Sequence, residues 1–277
     1  MNFSTNQIRI AILDLYQGVE NQGMRCIRDI IKKWSAVNEI TVETVEFNVR
    51  QRFEIPDLSF DLYISSGGPG SPMPVEENAV WEKHYFNWLE NIESYNNNIL
   101  HQNKKKVFFI CHSFQLACRY YKVANVCKRK STSFGVFPIH FVGNAHSEQV
   151  FEGLNNPFYV VDSRDYQVIE PNFSLIAAMG GSILAIEKDR PHIPLERAVM
   201  AVRFNEHFIG TQFHPEADAD GMGMYLQRED KKKTVIENHG EAKWQSMIEQ
   251  LQDKEKILYT YSHVLPNFLN LAINEMA

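Results

Sequence analysis

A short apolar run that ends in a cysteine constrains this sequence more than any other feature. Residues 107–110 read Val-Phe-Phe-Ile, follow the three lysines 104–106 and lead directly into Cys111. A short apolar run bounded by charge is typical of a strand that is buried on both faces. The stretch that follows, residues 116–126, favours a helix. The sequence therefore predicts a strand-to-helix turn with a cysteine at the turn.

A cysteine in this position has two interpretations. The tight turn can lift the side chain out of the sheet, and the N-terminus of the helix lowers the thiol pKa, as a nucleophile requires. Alternatively, Cys111 is an ordinary core residue, because free cysteine is among the most buried residue types. This stretch alone leaves both interpretations open.

Two further motifs favour the nucleophile. Residues 65–72 read Ser-Ser-Gly-Gly-Pro-Gly-Ser-Pro, and residues 210–216 read Gly-Thr-Gln-Phe-His-Pro-Glu. Taken in order around the Cys-x-x-x-Gln of residues 111–115, these motifs resemble the class I glutamine amidotransferases, with the glutaminase domain of GMP synthase as the nearest pattern. The resemblance runs from about residue 8 to residue 216, and the His-Pro-Glu motif is its most specific part.

The resemblance implies a role for each motif. Cys111 would attack the glutamine carboxamide and form a γ-glutamyl thioester, with His214 as the base and then the acid. Glu216 would orient the imidazole, which is the role of the third member of a catalytic triad. The backbone N–H groups of Gly68 and His112 would form the oxyanion hole, since glycines allow close backbone approach and positive φ.

The resemblance also implies substrate-binding residues, namely Gly67, Gln115, Arg164 and Asp165. Gln115 matches a glutamine that lines the family's substrate pocket, or else it is a polar residue in the first turn of a helix. Residues 162–168 resemble a Ser-His-x-Asp segment that borders the glutamine site, with Arg164 in place of the histidine. An arginine there could pair with a substrate carboxylate through two hydrogen bonds.

Besides Arg164, three positions depart from the family pattern. The positions two before and two after the cysteine are normally small residues, but here they are Phe109 and Ser113. We expect Phe109 to shift the geometry of the turn, because its side chain points where the neighbouring strand would lie. Ser133 stands where the family commonly has an acidic residue. These departures and Arg164 leave substrate recognition more open than the triad.

The rest of the chain predicts an α/β fold of the flavodoxin-like kind, with a mostly parallel sheet flanked by helices. The predicted parallel strands are residues 8–15, 40–47, 62–64 and 107–110, with helices at 24–34, 81–92 and 116–126. Further strand-like pieces predict an antiparallel region laid against this sheet, and they are residues 131–142, 158–168, 174–179, 183–186, 198–204 and 207–213. We expect residues 1–218 to form the catalytic domain.

The remaining residues, 219–277, predict a helical C-terminal extension packed on that domain. The helices are expected at 241–256 and 265–276, and the first carries an apolar stripe. Packing against the catalytic domain is the favoured role of this stripe. A homodimer interface or a lid over the site are the alternatives.

Composition excludes several classes of function. A net charge of −6 without a long basic stripe argues against a nucleic-acid partner. No apolar run approaches the roughly 18–20 residues that span a bilayer, and the N-terminus lacks the features of a signal peptide. We therefore expect a cytoplasmic protein with free thiols and no membrane partner. Neither the four cysteines nor the ten histidines show the spacing of a metal site, so we expect no metal or cofactor.

Three functional hypotheses follow. The first is a glutamine amide hydrolase that supplies ammonia to a separate synthetase or acceptor subunit, because nothing in the tail resembles a nucleotide-binding unit. The second is a free-standing hydrolase or transferase for γ-glutamyl amides or peptides, which uses the same thioester and needs no partner. The third is a non-catalytic binding protein on the same fold. The departures at Phe109, Ser113 and Arg164 favour the third hypothesis, and the intact triad weighs against it.

Overall fold

The computed structural model describes residues 7–18, 21–191 and 193–274. These residues form one nine-stranded mixed sheet with helices packed on both faces. The N-terminal residues 1–6, on which the signal-peptide argument rests, lie outside the described residues, as do the last residues of the helix predicted at 265–276.

The strands alternate with helices through the first half of the chain. The strands are β1 (Gln7–Asp14), β2 (Thr41–Asn48), β3 (Leu62–Ser65), β4 (Lys106–Ile110), β5 (Asn125–Phe141), β6 (Phe158–Ile169), β7 (Ser182–Glu187), β8 (Val199–Arg203) and β9 (Phe208–Thr211). The helices are α1 (Gln22–Asn38), α2 (Val49–Arg52), α3 (Ala79–Asn97), α4 (His112–Tyr120), α5 (Phe173–Ala178), α6 (Ala219–Gln227), α7 (Glu229–His239), α8 (Glu241–Gln252) and α9 (Lys254–Asn274).

The sheet has a parallel half and an antiparallel half. The strand order is β2-β1-β3-β4-β9-β8-β7-β5-β6. Neighbours from β2 to β9 are parallel, and neighbours from β9 to β6 are antiparallel. The predicted parallel sheet with an added antiparallel region is therefore confirmed. The antiparallel strands continue the edge of the parallel sheet and do not form a separate layer against it.

The strand predicted at residues 174–179 is wrong, because residues 174–178 lie in helix α5 and Met179 caps its C-terminus. The side-chain oxygen of Asn172 accepts a hydrogen bond from the backbone N–H of Leu175 at 3.0 Å and caps the helix at its N-terminus. Such a cap satisfies a backbone donor that an apolar pattern does not reveal. A short apolar run cannot by itself distinguish a strand from a buried helical turn.

The two faces of the sheet carry two separate cores. Successive side chains of a strand point to opposite faces, so Ile10 and Ile12 of β1 pack with helices α1 and α9. Ala11 and Leu13 point the other way and pack with helices α3 and α4. This arrangement explains why β1 reads as an almost continuous apolar run.

The C-terminal helices join the rest of the protein in two places. Helix α9 lies in the main core, where the ring of Phe268 packs edge-on against Phe108 of β4 with 5.2 Å between the centroids. Helices α6 and α8 pack over the β5–β6 hairpin through a smaller cluster that includes Val161, Met222 and Met247. The helical extension is therefore present, while the domain boundary at residue 218 stays a prediction.

Membrane-spanning and metal-binding functions each require a particular structural feature. Within the described ranges, no helix is both long enough and apolar enough to cross a membrane. No group of three or more histidine, cysteine, aspartate or glutamate side chains is placed to hold a metal ion in the part of the chain that the structure describes.

The bulk of Phe109 is accommodated by a glycine on the neighbouring strand. Phe109 of β4 is fully buried and stands opposite Gly210 of β9. A Cβ atom added at Gly210 would lie 3.0 Å from the Cβ atom of Phe109 and 2.9 Å from a ring carbon of Phe114. The missing side chain therefore makes room for the phenylalanine that departs from the family pattern.

We expect Gly210→Ala to lower the free energy of unfolding by about 1–3 kcal/mol, because overpacking a rigid core costs about that much. Gly223→Ala in helix α6 is the matched control, since no atom lies within 4 Å of an added Cβ there. Denaturant titration of both variants measures the difference. Equal midpoints for Gly210→Ala and the parent protein would contradict this packing argument.

Candidate active site

Cys111 occupies the turn between strand β4 and helix α4. Its backbone has φ 48° and ψ −96°, a conformation that residues with side chains rarely adopt. Such strain costs about 1–3 kcal/mol and is concentrated at functional sites. The Cys111 N–H donates to the carbonyl of Thr211 at 2.8 Å, which ties the turn to β9. The turn thus holds the cysteine in the position that the sequence predicted.

Ser113 stabilises this turn through hydrogen bonds of its hydroxyl group. Its hydroxyl accepts a hydrogen bond from the Ile110 N–H at 2.8 Å and donates to the carbonyl of Ser65 at 2.7 Å. Ser113 is fully buried, so these bonds are not in competition with solvent. The serine therefore joins the end of β4 to the end of β3, a role that glycine could not perform.

The structure brings the three predicted catalytic side chains together. His214 Nδ1 lies 2.9 Å from Glu216 Oε1, and the imidazole and Cys111 both lie against Gly67. The backbone of His214 is held by its N–H, which donates to the carbonyl of Val161 at 2.9 Å. Glu216 is almost completely buried, and the His214 side chain is 13% exposed. Such an arrangement can act chemically as a nucleophile, a base and an orienting carboxylate.

The electrostatics of His214 suit a cysteine nucleophile. Burial alone would lower the pKa of His214, but the charges of Glu216 and Cys111 and their hydrogen bonds outweigh it. The net effect raises the pKa of the imidazole well above its ordinary value of 6.5. A protonated imidazole beside a cysteine stabilises the thiolate, which is the reactive form of the side chain.

The glycine loop, residues 67–70, lies so close to Cys111 and His214 that there is no space for a side chain at Gly67. A Cβ atom added at Gly67 would lie 2.9 Å from His214 Cε1 and 3.6 Å from Cys111 Cβ. One added at Gly68 would lie 2.4 Å from the carbonyl oxygen of Leu15. Close approach therefore requires glycine at both positions. Positive φ in this loop occurs only at Gly70, where φ is 90°.

The two amides predicted for the oxyanion hole have no internal acceptor. Neither the Gly68 N–H nor the His112 N–H donates to another described residue. The His112 side chain is buried near the ring of Trp81, and burial together with two arginines lowers its pKa to about 3. The imidazole of His112 is therefore neutral, and the predicted role in the oxyanion hole falls to its backbone N–H.

Gln115 reaches Cys111 through a residue that the sequence analysis did not select. The side-chain amide of Gln115 donates to Gln212 Oε1 at 3.0 Å, and Gln212 Nε2 in turn lies 3.7 Å from Cys111 Sγ. Gln212 is fully buried. The available sequence signal for Gln212 was its place in the Gly-Thr-Gln-Phe motif, two residues before His214. Its burial explains the contacts, because a fully buried glutamine needs polar partners.

Tyr16 is a second residue that was missed. Its hydroxyl would lie 3.1 Å from a Cβ atom added at Gly67 and 2.7 Å from one added at Gly23. Burial, followed by the charges of Glu216 and Cys111, raises the pKa of the phenol well above its ordinary value. A neutral hydroxyl therefore faces the triad. No sequence signal pointed to this residue, since Tyr16 simply follows the first strand.

The structure does not bring Arg164 and Asp165 to the nucleophile. The Arg164 side chain is 1% exposed, and its Nε lies 3.0 Å from both carboxylate oxygens of Asp162. Its Nη2 also contacts Glu187 at 3.2 Å. Asp165 is exposed and accepts a hydrogen bond from Thr132. This segment contributes its backbone instead, because the carbonyl of Ser163 lies 3.8 Å from Cys111 Sγ.

Solved structures share this fold over most of the chain. A glutamine amidotransferase from Thermotoga maritima superposes with a TM-score of 0.67 at 16% identity, covering 96% of this chain and 98% of that one. The glutaminase domain of CTPS from Trypanosoma brucei, solved with bound acivicin, gives a TM-score of 0.52 at 16% identity, covering 76% and 86%. A protein from Thermoplasma acidophilum that is described as a putative GMP synthase subunit gives 0.50 at 16% identity, covering 82% and 98%.

A curated relative is named as an acetyltransferase, unlike the solved structures above. Homoserine O-acetyltransferase from Catenibacterium mitsuokai is 25% identical over 197 residues, which are 66% of this chain and 53% of the relative. The chain thus spans about half the length of that protein.

A sequence model of a whole family also matches. The model of the family described as glutamine amidotransferase class-I matches residues 12–233, from strand β1 to helix α7. The match includes the turn at Cys111, the glycine loop, and His214 and Glu216. With the geometry of Cys111, His214 and Glu216 in place, this match shows that the chain belongs to the class I glutamine amidotransferase family.

Proposed function

We propose that the protein hydrolyses the side-chain amide of L-glutamine through a thioester on Cys111. The observation that carries this proposal is His214, whose Nδ1 lies 2.9 Å from Glu216 Oε1 and whose ring lies beside Cys111 next to Gly67. This is the relay that a cysteine needs to attack a carbonyl and then return a proton to the leaving group.

Cys111, His214 and one water molecule suffice for both steps of the proposed hydrolysis. The Cys111 thiolate attacks the carboxamide carbon, the C–N bond breaks, and His214 donates a proton so that ammonia leaves. A water molecule then attacks the γ-glutamyl thioester, His214 accepts its proton, and glutamate departs with the thiolate restored. The Gly68 and His112 N–H groups would stabilise both oxyanions, and one such donor contributes about 10²–10³-fold in kcat.

Substrate recognition is proposed for Gly67 and Gln115 among the predicted binding residues. Gly67 borders both Cys111 and His214, and Gln115 connects to the nucleophile through Gln212. The buried ion pairs of Arg164 favour a structural role for it over a contact with a substrate carboxylate. A substrate role for Asp165 also stays a prediction.

The ammonia would pass to an acceptor on a separate protein. The similar protein from Thermoplasma acidophilum is described as one subunit of GMP synthase, which supports a division of the reaction between chains. The four cysteines are free thiols, and this supports the predicted cytoplasmic location, where thiols stay reduced. A homodimer through the surface of helices α6–α9 stays a prediction.

The curated acetyltransferase relative favours a second candidate function. The same triad would accept an acetyl group from an acetyl thioester onto Cys111 and transfer it to the hydroxyl of homoserine. That relative is 25% identical to this chain, whereas the solved amidotransferases described above are 16% identical. A free-standing γ-glutamyl transferase would use the same steps with a larger amine. The strained Cys111 beside a charged imidazole weighs against a purely non-catalytic protein.

Two parallel assays on the purified protein separate these candidates. One measures ammonia and glutamate from L-glutamine, and the other measures O-acetylhomoserine from acetyl-CoA and homoserine. We expect ammonia and glutamate in equal amounts and no acetyl transfer. Acetyl transfer without ammonia release would overturn the proposed glutaminase activity and support the second candidate.

A further inference from the structure

A buried arginine lies behind the glycine loop and binds its backbone. Arg50, in the short helix α2, is 8% exposed. Its Nη1 donates to the carbonyl of Pro69 at 2.5 Å and to the carbonyl of Leu15 at 3.3 Å. These two carbonyls belong to the glycine loop and to the segment that follows strand β1. One guanidinium thus joins two stretches of chain on either side of Gly68.

The carbonyl of Leu15 is also the atom against which Gly68 packs. A Cβ atom added at Gly68 would lie 2.4 Å from it, so the backbone at 68 has no room to move in that direction. By donating a hydrogen bond to the Leu15 carbonyl, Arg50 fixes the position of the backbone against which Gly68 packs. By holding the carbonyl of Pro69, it also sets the peptide that follows.

A serine completes the orientation of the Gly68 amide. The hydroxyl of Ser66 accepts from the Leu15 N–H at 3.0 Å and donates to the carbonyl of Gly67 at 2.8 Å. The peptide between Gly67 and Gly68 is planar and trans, so its N–H points opposite to its C=O. Because Ser66 holds the C=O, the N–H of Gly68 is directed away from the serine.

Two arginines lie near the residues that carry the predicted amide donors. The Arg50 guanidinium lies 5.0 Å from the ring centroid of Trp81, which packs near His112. Arg119 holds the carbonyl of Pro72 at the far end of the loop and pairs with Glu82. Positive charge near a developing oxyanion stabilises it, most strongly in a site with little water.

We propose that Arg50 is a positioning residue of the oxyanion hole, which acts by fixing the backbone around Gly68 and does not touch the substrate. The inference rests on the proposed thioester chemistry, but it applies to any acyl group that Cys111 accepts. Removal of Arg50 should therefore slow acylation of Cys111 while leaving the reactivity of its thiolate unchanged.

Two probes of Cys111 measure these properties separately. p-Nitrophenyl acetate acylates the thiolate through an oxyanion, since the S–C bond forms and then p-nitrophenolate leaves. Iodoacetamide alkylates the same thiolate by displacing iodide, without an oxyanion. The quantity to compare is the ratio of the acylation rate to the alkylation rate. Arg50→Met removes the donors, and Arg50→Lys keeps a charge and a single donor group.

We expect Arg50→Met to lower this ratio about 10- to 100-fold, part of the loss expected for removing an oxyanion donor. Arg50→Lys should recover part of it. Arg52→Met is the matched control, because Arg52 lies in the same helix with a side chain that is 74% exposed, and its ratio should be unchanged. Circular dichroism verifies that each variant is folded.

Two results would overturn the inference. One is an equal ratio in the parent protein and in both Arg50 variants. The other is a parent protein whose Cys111 is alkylated but never acylated, since no formed oxyanion hole would then exist to be positioned. A lowered ratio in a protein that does not hydrolyse glutamine would support the role of Arg50 and overturn only the proposed substrate.

Discussion

Replacing Cys111 with alanine is expected to lower kcat for glutamine hydrolysis by at least about 10⁴-fold, because the thioester can no longer form. Cys111 lies at the strained turn with His214 beside it, and no other described cysteine contacts that imidazole. Ammonia and glutamate release at saturating glutamine measures the loss. The fold should persist, since alanine removes one sulfur atom from a residue that is 6% exposed.

Cys118→Ala is the control for this substitution. Cys118 lies in helix α4, beyond the first turn, and is fully buried in the apolar core. Burial raises the pKa of its thiol well above the ordinary value, so the side chain is chemically inert. We expect Cys118→Ala to keep nearly full kcat. Undiminished turnover by Cys111→Ala would show that another group is the nucleophile.

Glu216→Gln is expected to lower kcat by about 10²–10⁴-fold, as the loss of an orienting carboxylate does in related triads. The amide can no longer hold the charged imidazole, so the pKa of His214 should fall towards its ordinary value. Activity that depends on protonated His214 should then decline at a lower pH than in the parent protein. A pH profile of kcat for both proteins measures this shift.

The same pKa has a consequence for stability. A histidine whose pKa is raised by folding stabilises the protein fully below its unfolded value of 6.5, and this contribution is lost as pH rises through the raised pKa. We expect the parent protein to lose this contribution on the alkaline side, and Glu216→Gln to lose much of it throughout. Denaturant titrations at several pH values measure the difference.

Glu206→Gln is a matched control for both measurements. Glu206 also pairs with a neighbouring histidine, His207, at 3.9 Å, but its side chain is 89% exposed. Solvent screens such a pair, so its removal should change neither the pH profile nor the stability. A Glu216→Gln variant that behaved like Glu206→Gln would contradict the orienting role of the buried carboxylate.

The sequence was sufficient to predict that Cys111, His214 and Glu216 lie close together, because they belong to short motifs that follow predicted strands, while their catalytic roles stay a prediction. Cys111 follows β4 and His214 follows β9, and these strands are adjacent and parallel. Parallel neighbours bring their carboxyl ends to one edge of the sheet, where sites in such folds are found. The family resemblance of the motifs predicted that these residues come together, and the alternation of strands and helices predicted the sheet.

The surroundings of the triad could not be predicted in the same way. The accommodation of Phe109 depends on Gly210, which lies on a strand far away in sequence, and only the register of β4 with β9 reveals the pairing. Arg50 and Tyr16 carry no motif, and their roles depend on which backbone atoms lie nearby. Arg164 belongs to a strand whose buried face holds Asp162, and no sequence pattern indicated a partner for either charge.

The most direct test of the central claim is the mass of the protein after brief mixing with L-glutamine and quenching in acid, followed by peptide mapping. A γ-glutamyl thioester formed by Cys111 predicts an increase of one γ-glutamyl group, located on the peptide that contains residue 111 and absent from Cys111→Ala. An adduct on any other residue would contradict the account, as would full glutamine turnover by Cys111→Ala.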